Sequence, residues 1–167
     1  NSKINGIEET DLILLIGTNP RFEATMLNAR IRKAYLKNKL KIVSLNDVGD
    51  LTYPYKSLDG KTQTIKDIIE NNNKMTKDII ESKKPMIIFG ESFLKSNSAE
   101  YLFKSFKKFL LNKEKFNDEW NPLNIISTDA ATVGNLDLDI IDQNNDVLRD
   151  LNENKFELIF LLGQDNL

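Results

Sequence analysis

LILLIGTNPRFEATMLNARIRKAY, residues 12–35, places an apolar strand, a glycine turn and a capped helix in direct succession. An unbroken run such as Leu12–Ile16 suits a strand covered on both faces, because a strand with one wet face alternates apolar with polar residues. Gly17 permits the sharp turn that follows. Thr18 or Asn19 can cap the orphan amides of the next helix, and Pro20 stands at its first turn, where a missing N–H costs nothing. From about Phe22 to Leu36 the chain reads as helix, with Leu27, Ile31 and Tyr35 spaced four apart on one face.

Outward from this unit, three further apolar runs read as strands: Leu40–Leu45, Met86–Phe89 and Leu158–Leu162. The first two strands and the intervening helix have the length of a right-handed parallel crossover. The stretch Asn46–Gly60 carries Gly49, Pro54 and Gly60 and reads as a loop without regular structure. Two short helices follow, one on Ile65, Ile68 and Ile69 and one on Met75, Ile79 and Ile80, with Asn71–Asn73 as the turn between them. Pro85 then ends the helix and begins a strand. Beyond Gly90 lies an amphipathic helix, with Ala99, Leu102, Phe103, Phe106 and Leu110 on one side and Lys104, Lys107 and Lys108 on the other. Asn121 as cap and Pro122 at the first position predict a helix running to about Gly134. Residues 136–145 read as loop, and Val147, Leu148 and Leu151 mark a short helix before the last strand. The fold class is therefore α/β, with a mostly parallel sheet and helices on both faces.

The stretch GTNPRFEATMLNARIRKAY resembles the strand–loop–helix signature, of the form GTNPRxEAxxxNARIRK, of the large iron–sulfur subunit of respiratory complex I, the NADH:ubiquinone oxidoreductase. The entry NGIEETD, then DLTYPY at 50–55, KKPMIIFGES at 83–92, WNPLNII at 120–126 and FELIFLLGQD at 156–165 agree with that family in the same order. In it a C-terminal region similar to molybdopterin oxidoreductases follows a separate region that holds iron–sulfur clusters. The resemblance implies that residues 1–167 are a segment of the former, a Rossmann-like three-layer domain incomplete within this chain, with no iron–sulfur domain. The start at Asn1 and the end soon after Leu162, with no helix to cover the last strand, point to part of a larger subunit or one product of a split one.

Composition narrows the chemistry. With 167 residues, 40% of them hydrophobic, the chain can bury one sizeable core, and one domain is the expectation. A net charge of -2, from 23 basic and 25 acidic residues, sets up no field favouring nucleic acid or an anionic membrane. No apolar run approaches the roughly 20 residues that span a bilayer, so no direct membrane insertion is expected. The sequence has no cysteine, which removes thiolate clusters, thiolate zinc sites and disulfides. It has no histidine either, which removes Ser–His and Cys–His pairs and imidazole metal sites. A richness in Asn, Lys and Ile tilts the origin toward an organelle genome.

The one loop with the context of a phosphate cradle is Gly17, Thr18, Asn19, Pro20 and Arg21, since doubly wound folds present amides to phosphates at such a turn. In molybdopterin enzymes a similar G-x-N-P loop lies against a pterin dinucleotide. Here the loop has a single glycine, Pro20 offers no amide, and the second strand leads into Asp47 and Asp50, whose carboxylates repel a diphosphate. The loop reads as vestigial, with Gly17 making the turn and Arg21 anchoring carbonyls or carboxylates. No catalytic residue, no metal site and no cofactor are expected in this chain; the clusters of the parent subunit lie outside it.

Other groups read as structural. Arg30, Arg32 and Lys33 lie on different sides of their helix and suit ion pairs, some toward partner subunits. The lysines at 104, 107 and 108 lack the exposed aromatics of a nucleic-acid platform, and no nucleic-acid partner is expected. Asp137, Asp139 and Asp142 lack calcium-loop spacing. Trp120 reads as a core or interface anchor. Ser92 lacks the second glycine of a nucleophile elbow.

By resemblance, the chain supports assembly of the NADH-dehydrogenase module in the peripheral arm of complex I, packing against the iron–sulfur region of the same subunit and neighbouring arm subunits. The expected place is the matrix side of the mitochondrial inner membrane, or the cytoplasmic face of a bacterial one. Two rivals stand beside it: a molybdopterin oxidoreductase fragment that retains its cofactor, and an independent α/β binding module.

Overall fold

In the computed structural model, which describes residues 3–38, 40–129, 131–140 and 146–160, the run Leu12–Ile16 is the central strand β1 of a five-stranded sheet. All five of its side chains are buried, and each such residue contributes about 1.5–3 kcal/mol relative to exposure. The short helix α1 (Pro20–Glu23) and the long helix α2 (Thr25–Asn38) lead to β2 (Lys41–Ser44), which pairs parallel with β1, Leu12 opposite Lys41. The helix expected from Phe22 to Leu36 is thus broken at Ala24 (φ -150°, ψ 69°) and extends two residues further than expected.

The loop after β2 is not wholly irregular: β3 (Lys56–Ser57) pairs parallel with β2 through Leu58 N–H to Ser44 O, 2.9 Å. Helices α3 (Thr62–Ile69) and α4 (Lys74–Glu81) follow as expected, the second capped by the Asn73 side chain. Next, β4 (Pro85–Phe89) pairs with the other side of β1, Leu12 opposite Pro85. Helices α5 (Glu91–Leu94) and α6 (Ala99–Asn112) precede β5 (Leu123–Ile125), which pairs with β4. The order is β3-β2-β1-β4-β5 and every pairing is parallel. The opening Ile4–Glu9 is a 3-10 helix.

Alternation along the strands divides the core. Leu12, Leu14, Ile16, Val43, Leu45, Ile87 and Phe89 face α3, α4 and α6. Ile13, Leu15, Ile42, Met86 and Ile88 face α2, the opening 3-10 helix and Trp120. The three layers expected from the sequence are therefore present, with aromatic rings concentrated on the first face: Phe89 lies 5.0 Å from Phe93 and 5.9 Å from Phe106. At the amino ends of the strands, Asp11 accepts from the Ser82 hydroxyl and from the amides of Lys83 (2.7 Å) and Lys84 (3.1 Å).

Two further expectations fail. The helix predicted from Pro122 to Gly134 is replaced by β5, because the Asn121 side chain accepts from the Leu123 amide and starts an extended segment, and proline's fixed φ suits a strand entry as well as a helix. Pro122 O accepts from Ile87 N–H at 2.7 Å, which docks the segment on β4. Likewise Leu158–Phe160, predicted as the start of a strand, is exposed and forms none, since a strand needs a partner ladder and none is present among the described residues around it. Leu161 and Leu162 lie outside the described residues, as do residues 141–145 of the predicted loop.

The chain divides into two compact units, Asn1–Thr128 and Asp129–Leu167. The second holds α7 (Thr132–Asp137), where loop was expected at its end, and α8 (Asp146–Asn152), the short helix expected around Val147–Leu151.

Candidate functional site

The sheet reverses its winding between β1 and β4, and a doubly wound fold binds ligands at the carboxyl ends of the strands at such a point. Gly17 and Gly90 end these strands, and their backbones are in contact. A Cβ on Gly90 would stand 2.2 Å from Gly17 O, and one on Gly17, whose φ is +62°, would stand 2.5 Å from the Cβ of Phe93. The space beside the turn is therefore filled by the chain itself. The Ser92 hydroxyl donates to Gly17 O, so it serves as a tie between the loops.

Several donors of the turn have partners within the chain. Thr18 Oγ1 donates to Glu23 Oε2 at 2.6 Å and the Asn19 amide to Glu23 Oε1 at 3.0 Å, while Asn19 Oδ1 caps the Arg21 amide at 3.1 Å. An internal carboxylate thus occupies the position an anionic ligand would take. Arg21 Nη1 donates to Asp50 O (2.7 Å) and Asp50 Oδ2 (2.6 Å), the structural anchoring expected of it.

The loop after β2 closes over this turn. Asn19 Nδ2 donates to Val48 O at 2.9 Å, Asn28 Nδ2 to Leu51 O at 3.0 Å, and the Tyr53 hydroxyl to Asn28 Oδ1 at 2.7 Å. The Tyr55 hydroxyl donates toward Asp47 and receives the Val48 amide. These contacts set the charges: the Thr52 amide and then Arg21 hold the Asp50 carboxyl below the usual range, the Tyr55 hydroxyl and the Gly49 amide do the same for Asp47, and burial pushes the Tyr53 hydroxyl up. Beside Gly90, Lys95 and then the Thr128 hydroxyl and amide lower Glu91 to about 2. Asp47, Asp50 and Glu91 are thus held as carboxylates around the ends of β1, β2 and β4. The pterin dinucleotide that lies against a similar loop in molybdopterin enzymes would bring a diphosphate to this place, and these residues as folded do not fit one: Glu23 holds the Thr18 hydroxyl and the Asn19 amide, and Asp47, Asp50 and Glu91 stand around the strand ends.

Sequence reasoning missed Glu23, Asn28, Tyr53 and Phe93. Two of these carry readable signals. Glu23 stands four residues after the cap Asn19, close to the spacing of a capping box. Asn28 lies three residues before Ile31 on the buried face, where an amide must find partners.

The remaining candidates are dispersed. Arg30 and Lys33 both reach Glu8 Oε1, at 3.2 and 2.9 Å, whereas Arg32 is exposed. Lys104 pairs with Glu100, and Lys107 and Lys108 are exposed while Phe106 and Phe109 are buried. Trp120 is core, 4% exposed, and its indole N–H donates to Pro85 O at 2.9 Å. Asp137 ends α7 and Asp139 follows it, while Asp142 lies outside the described residues. A cavity of about 540 Å³ around Trp120, Asn5 and Glu9 opens at the amino ends of the strands, away from the turn.

The molybdopterin oxidoreductase family model matches residues 1–167. The chain is 36% identical over its full length to the mitochondrial NADH-ubiquinone oxidoreductase 78 kDa subunit of Candida albicans, covering 22% of it. It is also 36% identical to the NADH-ubiquinone oxidoreductase 75 kDa subunit of Reclinomonas americana, covering 24% of it. To the mitochondrial NADH dehydrogenase iron-sulfur protein 1 of Solanum tuberosum it is 28% identical, covering 22%. The chain therefore spans about a quarter or less of the length of these relatives.

Proposed function

The chain belongs to the molybdopterin oxidoreductase family, and from that premise we propose that it is a supporting part of the large iron–sulfur subunit of NADH:ubiquinone oxidoreductase, with no redox centre of its own. Similarity along the whole of this chain to part of NADH-ubiquinone oxidoreductase or NADH dehydrogenase subunits from three organisms supports the host assembly. The observation that carries the supporting role is Glu23, whose carboxylate takes the Thr18 hydroxyl and the Asn19 amide. A family fold whose cradle is closed by its own side chain keeps the scaffold and has given up the ligand. The chain would pack against the cluster-bearing region of the same subunit and against other subunits of the peripheral arm. Relatives named as mitochondrial favour the matrix side of the inner membrane. Among the described residues no helix is long and apolar enough to cross a membrane, in keeping with a peripheral position.

The test is the pterin content of the intact assembly purified with this chain in it. Less than a tenth of an equivalent per copy is expected, on the order of adventitious carry-over, because Glu23 already takes the Thr18 and Asn19 donors that a diphosphate would need. One equivalent that is lost from a Gly17→Ala variant would overturn the supporting role and restore the cofactor-retaining reading.

A further inference from the structure

We infer that the outward face of α2 is a docking surface for an acidic amphipathic helix of another polypeptide; this deepens the assembly role proposed above and rests on it. A helix lying on a sheet ordinarily buries one stripe and shows water a polar one. Here Asn28, Ile31 and Ala34 are buried against the sheet, yet Met26 and Leu36, on the opposite side, are 72% and 69% exposed. Phe22 at the end of α1 is 78% exposed. Within α2, Met26, Ala29, Lys33 and Leu36 follow one another at steps of three, four and three, the spacing of a seam that receives a second helix, while Phe22 belongs to the separate α1 beyond the break at Ala24. Only Lys33 interrupts the apolar stripe, and its aliphatic stem can lie along it. Ala29, Arg32, Lys33, Leu36 and Lys37 together form a shallow, widely open surface on this side of the helix.

Charge selects the occupant. From Thr25 to Asn38 the helix carries Arg30, Arg32, Lys33 and Lys37 and no Asp or Glu, in a chain whose acids outnumber its bases. The described ion pairs answer this charge with Glu8 alone, shared by Arg30 and Lys33. Carboxylates on a partner helix, flanking apolar residues at the same three-and-four spacing, would complete both patterns. A lipid surface fits less well, because the apolar stripe is one residue wide, whereas interfacial helices immerse a broad face.

The assembly that purifies with the unaltered chain is treated with a carbodiimide that couples amines to carboxylates in contact, and the joined peptides are identified. Coupling of Lys33 or Lys37 to Asp or Glu of a different polypeptide, within a stretch carrying apolar residues every three or four positions, is expected. In parallel, a Met26→Asp/Leu36→Asp variant is expected to be recovered with the assembly at least about tenfold less, because buried apolar anchors dominate such interfaces. Both positions are exposed, so its thermal midpoint should stay close to that of the parent. Coupling only to carboxylates of the same polypeptide would overturn the inference. Undiminished recovery of the variant would do the same, and so would phosphatidylserine vesicles, rather than a protein, being the surface it no longer binds. If the purified assembly contains no NADH-oxidising subunits, the function proposed above fails while the couplings still decide the docking face; if it contains them and retains the variant, the docking face alone fails.

Discussion

Replacing Gly17 by alanine should be costly for two separable reasons. At φ +62° an L residue costs about 1–2 kcal/mol, of which up to ~1 is offset by the lower entropy of the unfolded chain. The new Cβ would also stand 2.5 Å from Phe93 Cβ and 2.7 Å from the Phe93 backbone nitrogen. No rotamer relieves a clash with backbone, so α5 must shift, adding about 1–3 kcal/mol. Gly49 provides the control, with φ +76° and nothing within 4 Å of its added Cβ, so Gly49→Ala carries the backbone cost alone. Gly90 isolates the other part: its φ of -98° suits any residue, but its Cβ would meet Gly17 O at 2.2 Å. Urea unfolding followed by the fluorescence of Trp120, the single and buried tryptophan, reports on this unit. Gly17→Ala should lose about 1–3 kcal/mol more than Gly49→Ala, and Gly90→Ala about that difference by itself. Equal losses at Gly17 and Gly49 would refute the reading that loop-to-loop packing fills the cradle.

Asn28→Ala should lower stability by about 2–4 kcal/mol, since Leu51 O and the Tyr53 hydroxyl both lose a buried partner; a loss under ~1 kcal/mol in the same titration would mean water replaces the amide. Trp120→Phe removes the N–H bonded to Pro85 O and should cost about 1–3 kcal/mol by circular dichroism, so an unchanged midpoint argues against that bond. With no histidine, stability should be flat between about pH 5 and 8. Below that it should fall: Glu91 is held at about 2 against an ordinary 4.5. Asp11 also ends below its ordinary value, because the Ser82 hydroxyl and two amides outweigh its desolvation. Depressed carboxyls stabilise the fold above their unfolded values and lose that contribution as pH drops through the folded ones. A thermal midpoint that rises on acidification from pH 5 to 3 would contradict the sign.

Local rules were reliable where one signal pointed one way. The uninterrupted run at Leu12–Ile16, the turn at Gly17 and the cap at Asn19 all form as the residues require, and Arg21 anchors a carbonyl and a carboxylate as expected. Where one residue pair serves two structures, tertiary pairing decided. Asn121 and Pro122 open a helix or a strand equally well, and the free edge of β4 selected the strand. The apolar run at Leu158–Phe160 has strand composition but no ladder beside it among the described residues. The candidate loop was legible by position and not by content. Glu23 has a local signal in its spacing from Asn19, but the closure by Asn28 and Tyr53 depends on side chains that meet across 25 residues of chain, and no short-range pattern encodes that.

Because β1 is flanked on one side by a strand as distant in sequence as Pro85–Phe89, its enclosure must wait until that later segment has been synthesised. Until then Leu12–Ile16 offers a bare, greasy ribbon to whatever is nearby, the interval in which aggregation competes hardest with folding. Slow translation or a chaperone acting over that interval would therefore govern yield more than any change at the mature surface.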